Sequence, residues 1–450
     1  MSLANNVDFL GRLPKLNRVN GLAELGRLRP DVESPLVEVR GFGPNPGGLR
    51  MFAFVPESMQ QRALVVVLHG CGQSAAGYDH GAGWSALAQQ YGFALLVPEQ
   101  QLMNNANGCY NWFNPEDVTR DCGEVASIRQ MIARMVEDHG IDPRRIFVTG
   151  LSAGGAMTSA MLATYPEVFS AGAVIAGLPF GVANNVRDAL TIMRATPVRT
   201  PHRLGDFVRS ASDHKGPWPR LSVWHGSVDG VVAPANAREI VKQWLDVHHL
   251  PQAPMSEGVV DGYPRRVWWN AAGETIVESY TITNMAHGTP LGVAENEQRY
   301  GTPGPFMLEA RISSSYHIAK FFGLTGRVAE ARIEPKAEPK ISKPARKPVL
   351  KPIKECGPTA QIIPPVPMPD FTEVFDPQLI MQARAERLDA RAERLDVRAE
   401  RLNARAEQQK VRPERQQVRS KKVEEDEPRR RGIDVGAVIT RALTAAGLMK

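Results

Sequence analysis

The sequence predicts an α/β fold with a mostly parallel central sheet and helices on both faces. Three observations predict it. Between about residues 36 and 325, apolar runs of strand length alternate with longer segments of helical period. One run, ALVVVL at 63–68, is apolar without alternation, as a strand covered on both faces must be. A body of about 300 residues can bury around three quarters of its unfolded surface, enough to stand without a metal or a disulfide framework.

In chain order, the strand candidates are Leu36–Arg40, Arg50–Val55, Ala63–His69, Phe93–Pro98, Arg145–Gly150, Ala171–Ile175 and Leu221–Gly226. An antiparallel pair, Arg265–Asn270 with Thr275–Thr281, closes the series. Helical periods predict Gly83–Tyr91, Gly123–Asp138, Ala153–Tyr165, Ala233–His248 and Pro305–Phe322. The stretch 178–219 is long for a connection and holds helical pieces at Val186–Met193 and Leu204–Ser210, so it is expected to form a small cap over the strand ends.

Around this body (36–325) the composition changes. Residues 1–35 read as a leader with a helix or two, and 326–380 as an extended linker rich in Pro and Lys. Residues 381–427 repeat a charged heptad (ARAERLD, ARAERLD, VRAERLN), and 428–450 hold a short amphipathic helix. Alanine is a poor coiled-coil knob and Pro413 interrupts the run, so the repeat reads as a solvated helix laced with Glu/Arg pairs.

The 450 residues are 43% hydrophobic and 23% charged, which excludes collagen-like and wholly disordered chains. No run approaches the ~18 apolar residues of a membrane-spanning helix, so no transmembrane segment is expected. Four cysteines with no CxxC pairs exclude a disulfide scaffold and a zinc knuckle, and no metal or other cofactor is expected. The basic charge belongs to the tail: from residue 327 on there are 27 Lys and Arg against 19 Asp and Glu, leaving 27 against 29 before it. Arg/Glu interleaving without aromatics argues against specific nucleic-acid binding, while leaving open a tether to a polymer or granule surface.

The strongest chemical signal is Gly150-Leu151-Ser152-Ala153-Gly154-Gly155, between the strand-like RIFVT and a helical run. A nucleophile on a tight strand-to-helix turn needs small neighbours and gains the positive end of the helix. Ser152 is therefore the candidate nucleophile. The loop after an earlier buried strand, Leu68-His69-Gly70-Cys71-Gly72, is placed to supply one backbone N–H of an oxyanion hole at Cys71, with Ala153 supplying the other. Chain order nucleophile, acid, base then selects His287, in the loop after the last strand candidate, from ten histidines. Asp229, in a loop directly after Leu221–Gly226, is the acid candidate, with Asp213, Asp246 and Asp261 as competitors.

With these residues in place, the body resembles the esterases of the polyhydroxybutyrate depolymerase family, α/β hydrolases related to secreted short-chain polyhydroxyalkanoate depolymerases and to feruloyl and acetylxylan esterases. The matching segments are NPGGLRM at 45–51, LHGCGQ at 68–73, CYNWF at 109–113, GEVASI at 123–128, GLSAGGAM at 150–157, WHGSVDGVVAPAN at 224–236 and AHGTPL at 286–291. They span roughly Leu36 to Gly323. The resemblance implies a serine carboxyl-ester hydrolase working through an acyl-enzyme, with Ser152, Asp229 and His287 as its triad. The ester would be short-chain polyhydroxyalkanoate or a related ester, a feruloyl or acetyl polysaccharide ester being the alternative. Transfer to another acceptor by the same triad stays open. Tyr110, Trp112 and Phe113 are candidates for an apolar acyl wall, with ordinary core packing as the other reading.

The resemblance also implies an extracellular protein, whereas residues 1–30 lack the apolar stretch of a classical export signal, which points to the cytoplasm. It further makes Cys71 and Cys109 a candidate disulfide joining two site loops. Two buried thiols are the other reading, and the missing signal favours them.

Overall fold

A computed structural model describes residues 33–326. The leader helix, the linker, the heptad repeat and the final helix expected from the sequence lie outside the described residues.

Ten strands form one sheet: β1 (Val37–Val39), β2 (Arg50–Phe54), β3 (Leu64–Leu68), β4 (Ala94–Glu99), β5 (Ile146–Leu151), β6 (Ala171–Ile175), β7 (Arg220–Gly226), β8 (Ser256–Val260), β9 (Tyr263–Trp269) and β10 (Thr275–Ile282). Their order is β1-β2-β4-β3-β5-β6-β7-β10-β9-β8. The six strands from β4 to β10 pair in parallel, and antiparallel strands flank them on both sides. A second, two-stranded sheet joins β11 (Thr289–Leu291) to β12 (Met307–Glu309) in parallel.

Nine helices connect the strands among the described residues: α1 (Ala75–Ala82), α2 (Trp84–Tyr91), α3 (Pro115–Val118), α4 (Gly123–His139), α5 (Ala153–Thr164), α6 (Val186–Arg194), α7 (Pro201–Arg209), α8 (Ala235–Val247) and α9 (Ser314–Phe321). The chain has the α/β-hydrolase fold. Every residue of β3, β4, β5 and β6 is buried, and all twelve residues of α5 are buried against them. Two apolar cores result. One holds Leu64, Val66 and Leu68 with Met157 and Trp244, and the other holds Val65 and Val67 with Trp84 and Trp224. Alternate β3 side chains point into different cores, which is why this strand carries no polar alternation.

The sequence readings need correction at several elements, the short α3 and β11 among those not expected. The single helix expected over Pro305–Phe322 is instead the strand β12 followed by α9, whose start is fixed by Ser313 accepting the Tyr316 N–H. Met307 meets Gly81 there, packing the strand onto α1. Helix α1 and edge strand β8 were not expected. The first has glycines at 77 and 81, and the second, SEGVV, is mostly exposed and lacks an apolar face.

Candidate active site

Ser152 stands at the turn from β5 into α5 with φ 57° and ψ −116°, a conformation that costs a non-glycine residue of order 1–3 kcal/mol and is held by its surroundings. Its N–H donates to the Ile175 carbonyl at 2.9 Å, and its own carbonyl accepts from Ala156 at 2.8 Å. The flanking glycines are dictated by close approach. A Cβ on Gly150 would strike the Gly154 carbonyl, and one on Gly154 would strike the carbonyls of Leu68 and His69. The turn therefore packs directly on the end of β3. Ser152 is the one partly exposed residue between Ile146 and Thr164.

Asp229 follows β7, and His287 follows β10 by five residues. Both strands run parallel to β5, so all three side chains belong to the same carboxyl-end rim of the sheet. The loops carrying Asp229 and His287 are laced together: Ser227 N–H donates to Ile282 at 2.9 Å and Val228 N–H to Met285 at 3.2 Å. A Cβ on Gly226 would collide with the Met285 carbonyl, so this glycine lets the loops touch. Asp229 Oδ2 lies 2.7 Å from His287 Nδ1. Since the carboxylate is the acceptor, Nδ1 carries the proton and Nε2 is left as the basic nitrogen. Ser152 Oγ and His287 share this rim without a hydrogen bond between them, a looseness frequent in free enzymes.

Asp229 is 5% exposed, yet stays ionised. Burial alone raises its pKa, but hydrogen bonds from His225 and His287 override burial and hold the carboxyl well below the ordinary range. Its Oδ1 also accepts the Val231 and Val232 N–H groups, each at 2.9 Å. Two of the three competitors are engaged elsewhere: Asp261 pairs with His317 at 2.8 Å and Asp246 with Arg209 at 2.7 Å. Phe306, hidden in sequence within the mistaken helix, packs edge-on against the His287 ring at 5.9 Å.

The backbone N–H groups of Cys71 and Ala153 make no hydrogen bond among the described residues, which suits donors held for an oxyanion. Gly72, beside Cys71, has φ +72°, the left-handed region that favours glycine. Gln73 Oε1 accepts the Gly70 N–H at 2.8 Å. His69 accepts the Gln100 N–H on Nε2 at 3.1 Å, so its Nδ1–H donates to the Gly70 carbonyl at 2.7 Å. Cys71 and Cys109 form a disulfide, against the thiol reading that the N-terminal composition favours.

Tyr110 is not part of an acyl wall. It is fully buried, donates its hydroxyl to the Pro98 carbonyl at 2.7 Å and leans on the His69 ring. Trp112 and Phe113 are partly buried and meet edge to face at 5.6 Å. They border an apolar patch in which Leu178, Val182, Ile192 and Leu204 of the 178–219 insertion pack with Ala156 of α5 and Val232 of the acid loop. A buried hub holds this loop: Glu124 accepts Asn111 N–H and Nδ2, each at 2.9 Å, together with Gln100 Nε2. Burial and the nearby Asp117 charge push the Glu124 pKa well up. The hub is silent in sequence, because a lone Glu in a helical first turn looks like any dipole partner. Among the described residues, no group of three or more His, Cys, Asp and Glu side chains could hold a metal.

The profile of the family described as Esterase PHB depolymerase matches residues 51–256. The chain is 47% identical over 293 residues to poly(3-hydroxyalkanoate) depolymerase C of Paucimonas lemoignei, covering 65% of this chain and 70% of the relative. The chain belongs to the PHB depolymerase esterase family. As a family member it is a serine carboxylic ester hydrolase. It is also 34% identical over 263 residues to an acetylxylan esterase of Coprinopsis cinerea, covering 57% of this chain and 69% of the relative. The solved acetyl xylan esterase of Aspergillus awamori superposes with a TM-score of 0.55 at 25% identity, covering 64% of this chain and 99% of its own.

Proposed function

We propose that this esterase hydrolyses short-chain polyhydroxyalkanoate through Ser152, His287 and Asp229. The observation that carries the substrate class is the 47% identity over 293 residues to the Paucimonas lemoignei depolymerase. The hydrogen-bonded Asp229–His287 pair and the strained Ser152 turn support the triad.

His287 Nε2 takes the Ser152 proton as Oγ attacks the ester carbonyl. The Cys71 and Ala153 N–H groups stabilise the oxyanion; losing one such donor costs about 3–4 kcal/mol of barrier in other hydrolases. His287 then protonates the leaving alcohol, and water clears the acyl-enzyme by the same steps. Trp112 and Phe113, with the insertion at 178–219 as a cap, form the apolar side on which a short acyl chain rests.

Clearing of polyhydroxybutyrate suspensions, with release of 3-hydroxybutyrate and its oligomers, tests the substrate. Acetylated and feruloylated xylan tests the second reading, which the acetylxylan esterase likeness favours. Turnover confined to polysaccharide esters would overturn the polyester assignment. The basic tail is proposed as a tether to the polymer. Truncation after Thr325 should leave soluble-ester turnover unchanged and reduce retention on polymer; equal retention would remove that role.

A further inference from the structure

His225 is the first residue of the HGSVDG segment after Trp224, and the reaction scheme gives it no part. It is 3% exposed at the end of β7, four residues before Asp229. Its Nε2 lies 2.8 Å from the Val232 carbonyl and 3.2 Å from Asp229 Oδ2. A carbonyl only accepts, so Nε2 must carry the proton, and the neutral ring keeps its lone pair on Nδ1. That Nδ1 is buried and has no hydrogen-bond partner. An unsatisfied buried acceptor is destabilising and calls for an explanation, since an apolar side chain would fill the same space without it.

The explanation lies at the other nitrogen. Oδ1 of Asp229 is held by two backbone N–H groups, while Oδ2 faces two imidazoles, His287 at 2.7 Å and His225 at 3.2 Å. The titratable group in contact with His225 is Asp229, whose Oδ2 is shared with His287. Its register partner on β10 is Thr281, and Ala176 lies at the exit of β6 beside it.

Resting on the triad proposed above, we infer that His225 is a positioning residue: its Nε2–H clamps the 229–232 turn and shares Asp229 Oδ2 with His287, fixing the carboxylate's aim and moderating its pull on the catalytic imidazole. Without that N–H, the carboxylate swings more freely and is a stronger acceptor. A stronger acceptor stabilises the His287 imidazolium, so the acid limb of kcat/KM moves to higher pH.

The test compares His225→Leu, His225→Gln and His225→Asn in the full chain on p-nitrophenyl butyrate, with Ser152→Ala as control. Gln places an amide N–H where Nε2 was; Asn is too short. His225→Leu and His225→Asn are expected to lower kcat by about 10- to 100-fold, the scale of a small misalignment. KM should stay within about twofold and the acid limb should shift upward by half a pH unit or more. His225→Gln should restore most of both. Wild-type kcat and an unmoved limb in His225→Leu, or in His225→Asn if the Leu variant does not fold, would overturn the assignment while loss of activity in Ser152→Ala leaves the triad standing. Full activity in Ser152→Ala would bring down the triad and this assignment with it.

Discussion

Each group of the proposed triad does a different job, and the variants should separate them. Ser152→Ala and His287→Ala are each expected to lower kcat by about a millionfold, and the double variant hardly further, because members of one relay fail together. Asp229→Asn keeps the shape but can donate toward His287 Nδ1, favouring the wrong tautomer, so a loss of about ten-thousandfold is expected. Steady-state kinetics of the three variants on a soluble ester checks this order; an Asp229→Asn enzyme near wild type would contradict it. The three candidates stand out in sequence because the turn glycines, the loop after β7 and the chain order are local signals. Sequence leaves Tyr110 open between acyl wall and core: three aromatics in the run YNWF do not reveal which ring is buried, and Tyr110 is, with its hydroxyl bonded to the Pro98 carbonyl.

Elements decide whether those residues meet. The end of β3 and the start of α5 are in such close contact that Gly154→Ala, colliding with the carbonyls of Leu68 and His69, should destabilise by about 3 kcal/mol, read from urea unfolding. A variant as stable as wild type would mean the turn can relax. The Cys71–Cys109 bridge spans 38 residues, and closing a loop of that size is worth about 4 kcal/mol on chain entropy. It also ties the oxyanion loop to the loop of Trp112 and Phe113. Cys109→Ser should therefore lower both the unfolding free energy and kcat, with KM less affected; unchanged kcat would show that the Gln73 and His69 bonds hold the oxyanion loop unaided. Strands β3 to β6 stand out in sequence because every residue of each is buried, leaving mostly apolar runs. Edge strand β8 and helix α1 do not, since exposed polar residues and interior glycines carry no period. The region 305–322 has helical spacing over its whole length, yet its first part forms β12 beside β11, where pairing overrides the local pattern.

Across the molecule as a whole, buried carboxyls set the pH response. Burial pushes Asp79 from 3.8 up to about 6 although Ser85 N–H donates to it at 2.7 Å, and burial likewise pushes Asp117 to about 6. In the unfolded chain these groups ionise near pH 4, so between pH 4 and 6 the folded state binds more protons. Stability must fall as pH rises through that window and level off above it. Asp79→Asn keeps the acceptor for Ser85 and removes the buried charge, so it should raise stability by up to about 3 kcal/mol at pH 8 and change little at pH 4. Denaturant melts at the two pH values check the sign; equal effects at both would refute it. Asp229 works oppositely, its contribution being present above the ordinary carboxylate pKa and lost only in strong acid. The body is thus expected to be most stable in mildly acidic solution.

The central claim is that the hydroxyl at the β5–α5 turn is the nucleophile activated by His287. Labelling with a fluorophosphonate and mapping the adduct by peptide mass spectrometry tests it most directly. A single adduct on Ser152, absent from His287→Ala under the same conditions, is the predicted result. An adduct on another residue, or undiminished labelling in His287→Ala, would contradict it.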